Sequence, residues 1–161
     1  MKRKLLAVAG GALLAASLPN YAGVPGPSVS GNVDLEFGTV AADNDASGQL
    51  TIAAADGSKS ESGTVYAFGG LTGVQAEYLV TGLTVGDTYL IQLPSSLDLV
   101  GGNSGHKITV DNLQSQPSTS FIATSDKATI LVGGTASLAA NQAGDTYSAP
   151  LSITVTPQTT N

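Results

Sequence analysis

The stretch Gly144-Asp145-Thr146-Tyr147-Ser148-Ala149-Pro150-Leu151-Ser152-Ile153-Thr154-Val155-Thr156 decides the fold class. Tyr147, Ala149, Leu151, Ile153 and Val155 occupy odd positions, and every even position from Thr146 to Thr156 is Ser, Thr or Pro. Successive side chains of a β-strand point to opposite faces, so this pattern describes one buried apolar face and one hydroxyl-rich face in water. It is the pattern of a half-buried antiparallel strand. A helix would need apolar residues three or four apart.

The same period recurs upstream. Val33, Leu35 and Phe37 alternate with Asn32, Asp34 and Glu36 in a first strand that ends near Gly38. A loop from Ala41 to Gly48 leads to Leu50, Ile52 and Ala54, and Asp56-Gly57 is a hairpin signal because this pair tolerates the positive φ of tight β-turns. Thr64 to Phe68, then Ala76, Tyr78 and Val80, then Tyr89, Ile91 and Leu93 follow, with Thr84-Val85-Gly86-Asp87 as a turn and Pro94 as a stop. Leu97 to Gly105 reads as a glycine-rich connection. Beyond it come a short strand with Ile108 and Val110, and candidates at Phe121 with Ala123, Ala128 with Ile130 and Val132, and Ala136 with Leu138. Gly133-Gly134 is expected to kink or bulge what would otherwise be one long strand.

Eight to ten short strands with turns between them, and no helical period after the N-terminal segment, predict a single antiparallel β-sandwich, immunoglobulin-like or pilin-like, with a small closed barrel as runner-up.

The N-terminal segment reads differently. Met1-Lys2-Arg3-Lys4 is cationic and Leu5 to Ala16 is an uncharged apolar run. As a helix that run would rise about 18 Å, short of the roughly 30 Å of a bilayer core, so residues 1–22 are expected to be a cleaved signal peptide. The cut is placed after Ala22, with Ser17 as an alternative. No Cys is present for lipid attachment. Residues 23–30, with Pro25 and Pro27 among Gly and Ser, read as a flexible arm, and 31–161 as the sandwich domain. The expected location is therefore exported: periplasmic, cell-surface or extracellular.

Removal of 1–22 would leave 139 of the 161 residues, with Lys59, Lys107 and Lys127 against 12 acids, a formal charge of −9. Such a surface repels nucleic acid and anionic lipid. Cys and Trp are both absent, so neither disulfides nor thiolate metal sites are available, and the core must come from Val, Ile, Leu and Ala.

Asp43-Asn44-Asp45-Ala46-Ser47-Gly48 matches the opening of a calcium loop, with oxygen ligands alternating at Asp43, Asp45 and Ser47. The twelfth position is Ala54 instead of a bidentate Glu, so an acidic interstrand turn is the preferred reading and no metal or other cofactor is assigned. His106 is the one histidine, beside a glycine-rich loop, and no Gly-x-Ser-x-Gly elbow exists to pair with it. Asp34 and Glu36 share a strand face but lack a neighbouring aromatic sugar platform. Ser148, Ser152, Thr154 and Thr156 form an outward hydroxyl row that ordinary β-propensity explains. Tyr147 has the position of a corner tyrosine whose hydroxyl bonds the backbone upstream. No catalytic, cofactor or metal residue is assigned, and an enzyme is not expected.

Ile130-Leu131-Val132-Gly133-Gly134-Thr135, then Leu138-Ala139-Ala140-Asn141-Gln142-Ala143-Gly144-Asp145-Thr146-Tyr147-Ser148 and Ile153-Thr154-Val155, resemble a secreted bacterial family catalogued as domain of unknown function 4402. Leu35-Glu36-Phe37-Gly38-Thr39-Val40 and Tyr89-Leu90-Ile91-Gln92-Leu93-Pro94-Ser95-Ser96 resemble its other recurrent segments, so the similarity runs from about Asn32 to Thr156. It implies an exported β-sandwich in the style of pilin and adhesin modules and implies no catalytic residue. The expected function is a secreted, non-enzymatic structural or surface-interaction protein, fimbria-like or adhesin-like, self-associating through sheet edges or its C-terminal strand. An extracellular glycan- or calcium-binding module is the alternative.

The alternation makes a direct prediction. Leu151→Ala is expected to cost roughly 2–5 kcal/mol by removing buried methyl groups, and Ser152→Ala under about 1 kcal/mol, measured by urea denaturation. Equal small losses would contradict the one-sided strand.

Overall fold

The computed structural model describes residues 26–158. The expected signal peptide, its cleavage site and Gly23 to Pro25 lie outside the described residues, as do residues 159–161. Thirteen strands follow in order: β1 Ser28–Val33, β2 Leu35–Ala42, β3 Gly48–Ile52, β4 Lys59–Gly63, β5 Val65–Ala67, β6 Ala76–Thr81, β7 Thr88–Gln92, β8 Leu97–Gly101, β9 Lys107–Gln116, β10 Ser120–Ile122, β11 Lys127–Leu138, β12 Asp145–Ala149 and β13 Thr154–Pro157. No helix occurs among the described residues. A curled ten-stranded sheet, with the path β1-β6-β11-β9-β8-β12-β2-β5 and the β3–β4 hairpin attached to β11, packs with a three-stranded sheet β10-β7-β13. The fold is an all-β antiparallel sandwich.

The central strand is β11. On one side it pairs with β6 from Lys127 to Val132 and then with β3 from Gly134 to Leu138; on the other it pairs with β9. Gly133 sits where β6 hands over to β3. A Cβ there would lie 2.1 Å from the Ile52 carbonyl oxygen and 2.7 Å from the Ala54 nitrogen, so the incoming backbone of β3 occupies the place of a side chain.

The expected irregularity at Gly133-Gly134 is present, but its extra residue belongs to the partner strand. Gly133 faces Gln114 and Thr135 faces Asp111, which leaves Asn112 and Leu113 opposite Gly134 alone. Asn112 takes φ 50°, the left-handed conformation that a bulge of this kind uses.

The C-terminal stretch is two strands, which corrects the reading of a single one. β12 lies between β8 and β2 in the large sheet, whereas β13 pairs with β7 in the small one. The chain changes sheets across Pro150 to Ile153, where Pro150 has no N–H to contribute to a ladder. The facing is nevertheless as the alternation requires: Tyr147, Leu151 and Val155 are buried, Ala149 and Ile153 half-buried, and Ser148, Ser152 and Thr154 exposed. Alternation encodes which face is inward and leaves the pairing partner open.

Two tyrosines tie this region down. The buried Tyr78 hydroxyl donates to the Leu151 carbonyl at the crossing, and burial, with the Asp34 charge adding to it, pushes the phenol pKa up. The Tyr147 hydroxyl donates to the Ala143 carbonyl at 2.6 Å and accepts from Gln142 Nε2 at 2.7 Å, the corner arrangement expected for it.

Other boundaries also move. Ser28 to Ser30, read as arm, are paired with Thr81, Val80 and Leu79 of β6. The first strand divides at Asp34, leaving Val33 exposed and Leu35 and Phe37 buried. The connection read at Leu97 to Gly105 contains β8, whose Leu99 is fully buried, and β9 extends well past Val110 to Gln116. The Asp56-Gly57 turn stands as expected, with Gly57 at φ 68° and Ser58 N–H donating to Asp56 Oδ1 at 2.9 Å, a bond that holds this carboxyl below its ordinary range.

Gly133→Ala is predicted to destabilise the fold by about 3 kcal/mol or more, because backbone must move to admit the methyl group. Gly102→Ala, where a Cβ meets nothing within 4 Å, is predicted to stay within about 0.5 kcal/mol. Chemical denaturation of the two variants checks the pair.

Candidate functional site

The bulge at Asn112-Leu113 opens onto a groove of about 760 Å³. One wall is the end of β7 and the residues after it, Ile91 to Ser95; the other is the second half of β9, Asn112 to Ser115, with Ser118 and Thr119 closing one end. Thr119 is held to β7 by the Ile91 N–H donating to its carbonyl at 2.8 Å. Ile91, Leu93, Pro94 and Leu113 supply the apolar lining, and Gln92, Asn112 and Gln114 supply amides. No lining residue is charged.

The groove contains an open strand edge. β8 covers β9 only from Lys107 to Val110, so Asn112 to Gln116 have β11 on one side and no strand on the other among the described residues. Unpaired N–H and C=O groups are therefore available there to an added strand. The site offers main-chain hydrogen bonds, uncharged amides and an apolar floor, which suit recognition of an extended, uncharged ligand.

The residues singled out in the sequence do not converge on this groove. Asp43 is occupied as a turn residue: its Oδ1 accepts the Asn44 N–H at 2.6 Å and its Oδ2 accepts the Tyr66 hydroxyl at 3.3 Å. Asp45 and Ser47 are exposed, and no group of three His, Cys, Asp or Glu side chains able to hold a metal occurs among the described residues. Asp34 is exposed at the β1–β2 step, and Glu36 is half-buried with its backbone bridged to Val74. In the hydroxyl row, Thr154 faces Gln92 across the β13–β7 pair and so stands closest to the groove in the ladder.

Ser104, His106 and Asp145 meet in the β8–β9 hairpin, but their bonds are those of a loop clasp. Asp145, buried among largely exposed loop residues, accepts the backbone N–H groups of Ser104 (2.6 Å), Thr146 (2.8 Å) and Asn103 (2.9 Å), and Asn103 Nδ2 at 3.2 Å. These bonds, those from Ser104 foremost, hold its carboxyl far below the ordinary range. The Ser104 hydroxyl accepts the His106 backbone N–H at 3.2 Å, and the His106 side chain is exposed. Gly101 makes room for the clasp, since a Cβ there would lie 2.6 Å from Asp145 Oδ2.

Gln92, Asn112 and Gln114 carried no obvious motif. The usable signal is a change of parity: apolar residues fall on even positions at Ile108 and Val110 and on an odd one at Leu113. One inserted residue produces that change.

A family model described as "Domain of unknown function (DUF4402)" matches residues 28–156, and the chain belongs to that family. No curated protein and no solved structure matches it.

The clasp predicts a pH dependence. A carboxyl whose folded pKa is depressed contributes stability that is fully present above about pH 5 and drains away as the pH falls through the unfolded value near 4 and toward the folded one. Asp145→Asn, which puts an amide donor against backbone donors, is expected to lower the thermal midpoint at pH 7, and the gap from wild type should narrow below about pH 4. A gap independent of pH would remove the charge from this account.

Proposed function

We propose that this DUF4402 member is an exported, non-enzymatic surface-interaction protein of the fimbria-like structural kind, which self-associates by accepting an extended segment of another copy along the open edge of β9. The observation that carries this reading is the contrast between that edge and the others. β4 carries Lys59 and Glu61, β5 and β10 are three residues each, β1 has a register shift between Gly31 and Val33, and β13 ends in Pro157. Charge, shortness, irregularity and proline are the ordinary means of discouraging strand addition. Asn112 to Gln116 carry no charged side chain and belong to a ten-residue strand, and their one irregularity, the bulge at Asn112-Leu113, opens the apolar-floored groove beside them instead of closing the edge.

Charge favours a second copy as the occupant at this place. Two chains that have lost residues 1–22, each of formal charge −9, repel over most of their surfaces, and the groove is a region where neither wall brings a carboxylate into the contact. The signal-peptide pattern at residues 1–22 supports export to the periplasm, cell surface or medium. The engaged carboxylates of Asp43 and Asp145 support a role without calcium and without acid–base chemistry.

Gln114→Lys places an ammonium group on the open edge at an exposed position, so folding stability should change by no more than about 0.5 kcal/mol. Sedimentation velocity and negative-stain imaging of the processed chain are expected to show concentration-dependent oligomers or fibres for wild type and monomers for this variant. A wild-type chain that stays monomeric at every concentration, or oligomers indifferent to the variant, would overturn the proposal.

A further inference from the structure

A second surface shares no lining residue with the β9 groove. Most aromatic rings of the described chain serve the core: Phe37, Tyr78, Tyr89 and Tyr147 are buried. Tyr66 and Phe68 instead are 50% and 56% exposed. Tyr66 lies in β5 and Phe68 in the turn directly after it, and both line the same hollow. The Phe68 N–H donates to the Thr39 carbonyl at 2.9 Å, so Phe68 continues the pairing of β5 with β2.

These rings are positioned. The Tyr66 hydroxyl is held by Asp43 Oδ2, and the Phe68 ring lies over Gly144, where a Cβ would come within 3.2 Å of Phe68 Cε2. Beside them is a hollow of about 440 Å³ lined by Glu61, Val65, Tyr66, Phe68, Gly70 and Leu71. That volume is in the range of small-ligand sites. Glu61 is exposed at its rim and makes no side-chain hydrogen bond or ion pair among the described residues. No Lys, Arg or His lines the hollow.

We propose that Tyr66 and Phe68 form a stacking platform for a neutral carbohydrate chain, with Glu61 accepting hydrogen bonds from its hydroxyls and Asp43 setting the Tyr66 ring. A sugar ring presents an apolar C–H face bordered by hydroxyl donors, which matches two outward aromatic faces bordered by a carboxylate. The absence of a lining cation and the acidic chain exclude sulfated or phosphorylated saccharides as the preferred class. The proposal is independent of self-association at β9.

The test titrates the processed chain with cellotetraose, chitotetraose and mannotetraose as neutral probes and a heparin tetrasaccharide as anionic control, followed by amide chemical shifts and calorimetry. At least one neutral probe is expected to move the amides of Val65 to Leu71 and to bind more tightly than the heparin fragment. Phe68→Ala should weaken that binding about tenfold and Tyr66→Ala by a similar factor, as the loss of one stacked ring implies. Glu61→Gln should weaken it by a few-fold. Because both rings are exposed, the thermal midpoint should stay unchanged, and Gln114→Lys should leave sugar binding intact. Failure of every neutral probe, tighter binding of the heparin fragment, or affinity indifferent to Phe68→Ala would each overturn the proposal. Loss of self-association in Phe68→Ala without any sugar binding would also overturn it and assign the rings to a protein interface.

Discussion

The close approach of the β3 backbone to Gly133 is the constraint on which the architecture turns. A strand has two hydrogen-bonding edges, yet β11 serves three partners, because β6 ends and β3 begins along the same edge at this one residue. The exchange needs the space a side chain would fill, and only glycine leaves it. Through β11 the N-terminal strands, the β3–β4 hairpin and the β8–β9 hairpin become one sheet. The bulge that shapes the groove lies directly across from it, in β9, so the hand-over and the candidate site are neighbours in a single ladder.

With no disulfide available, the rest of the fold is held by apolar packing and a few buried polar ties. Each tie meets the cost of burying a polar group by supplying a main-chain partner. Tyr78 reaches the crossing carbonyl of Leu151, Tyr147 caps the corner at Ala143, Tyr89 accepts the Thr84 N–H at the turn before β7, and Asp145 gathers the β8–β9 loop. Thr39 with Thr146 and Thr51 with Thr135 add hydroxyl pairs at 2.7 and 2.9 Å across the ladders. These four threonine hydroxyls thus join strands within the chain.

The two candidate surfaces divide by chemistry. The β9 groove offers an open main-chain edge and amides without charge, whereas the β5 edge offers rings and a carboxylate. The first suits an extended polypeptide and the second a sugar, and one chain has room for both.

The sequence by itself determined the all-β antiparallel class, the inward face of nearly every strand, the Asp56-Gly57 turn, the corner role of Tyr147 and the family. Facing is legible because it follows from a local period of two. It also held the bulge, in the parity change between Val110 and Leu113, while the unchanged parity of Ile130, Val132, Ala136 and Leu138 marks β11 as uninterrupted through its glycine pair. Only the tertiary structure decided that the last alternating stretch divides between two sheets, that Leu97 to Gly101 is a strand, and that Asn112 to Gln116 keep an open edge. Pairing partners are set by residues distant in the chain competing for the same backbone groups, and no local period carries that information. The placement of Glu61, Tyr66 and Phe68 around one hollow was settled there too, since β4 and β5 are brought together by their separate pairings with β3 and β2.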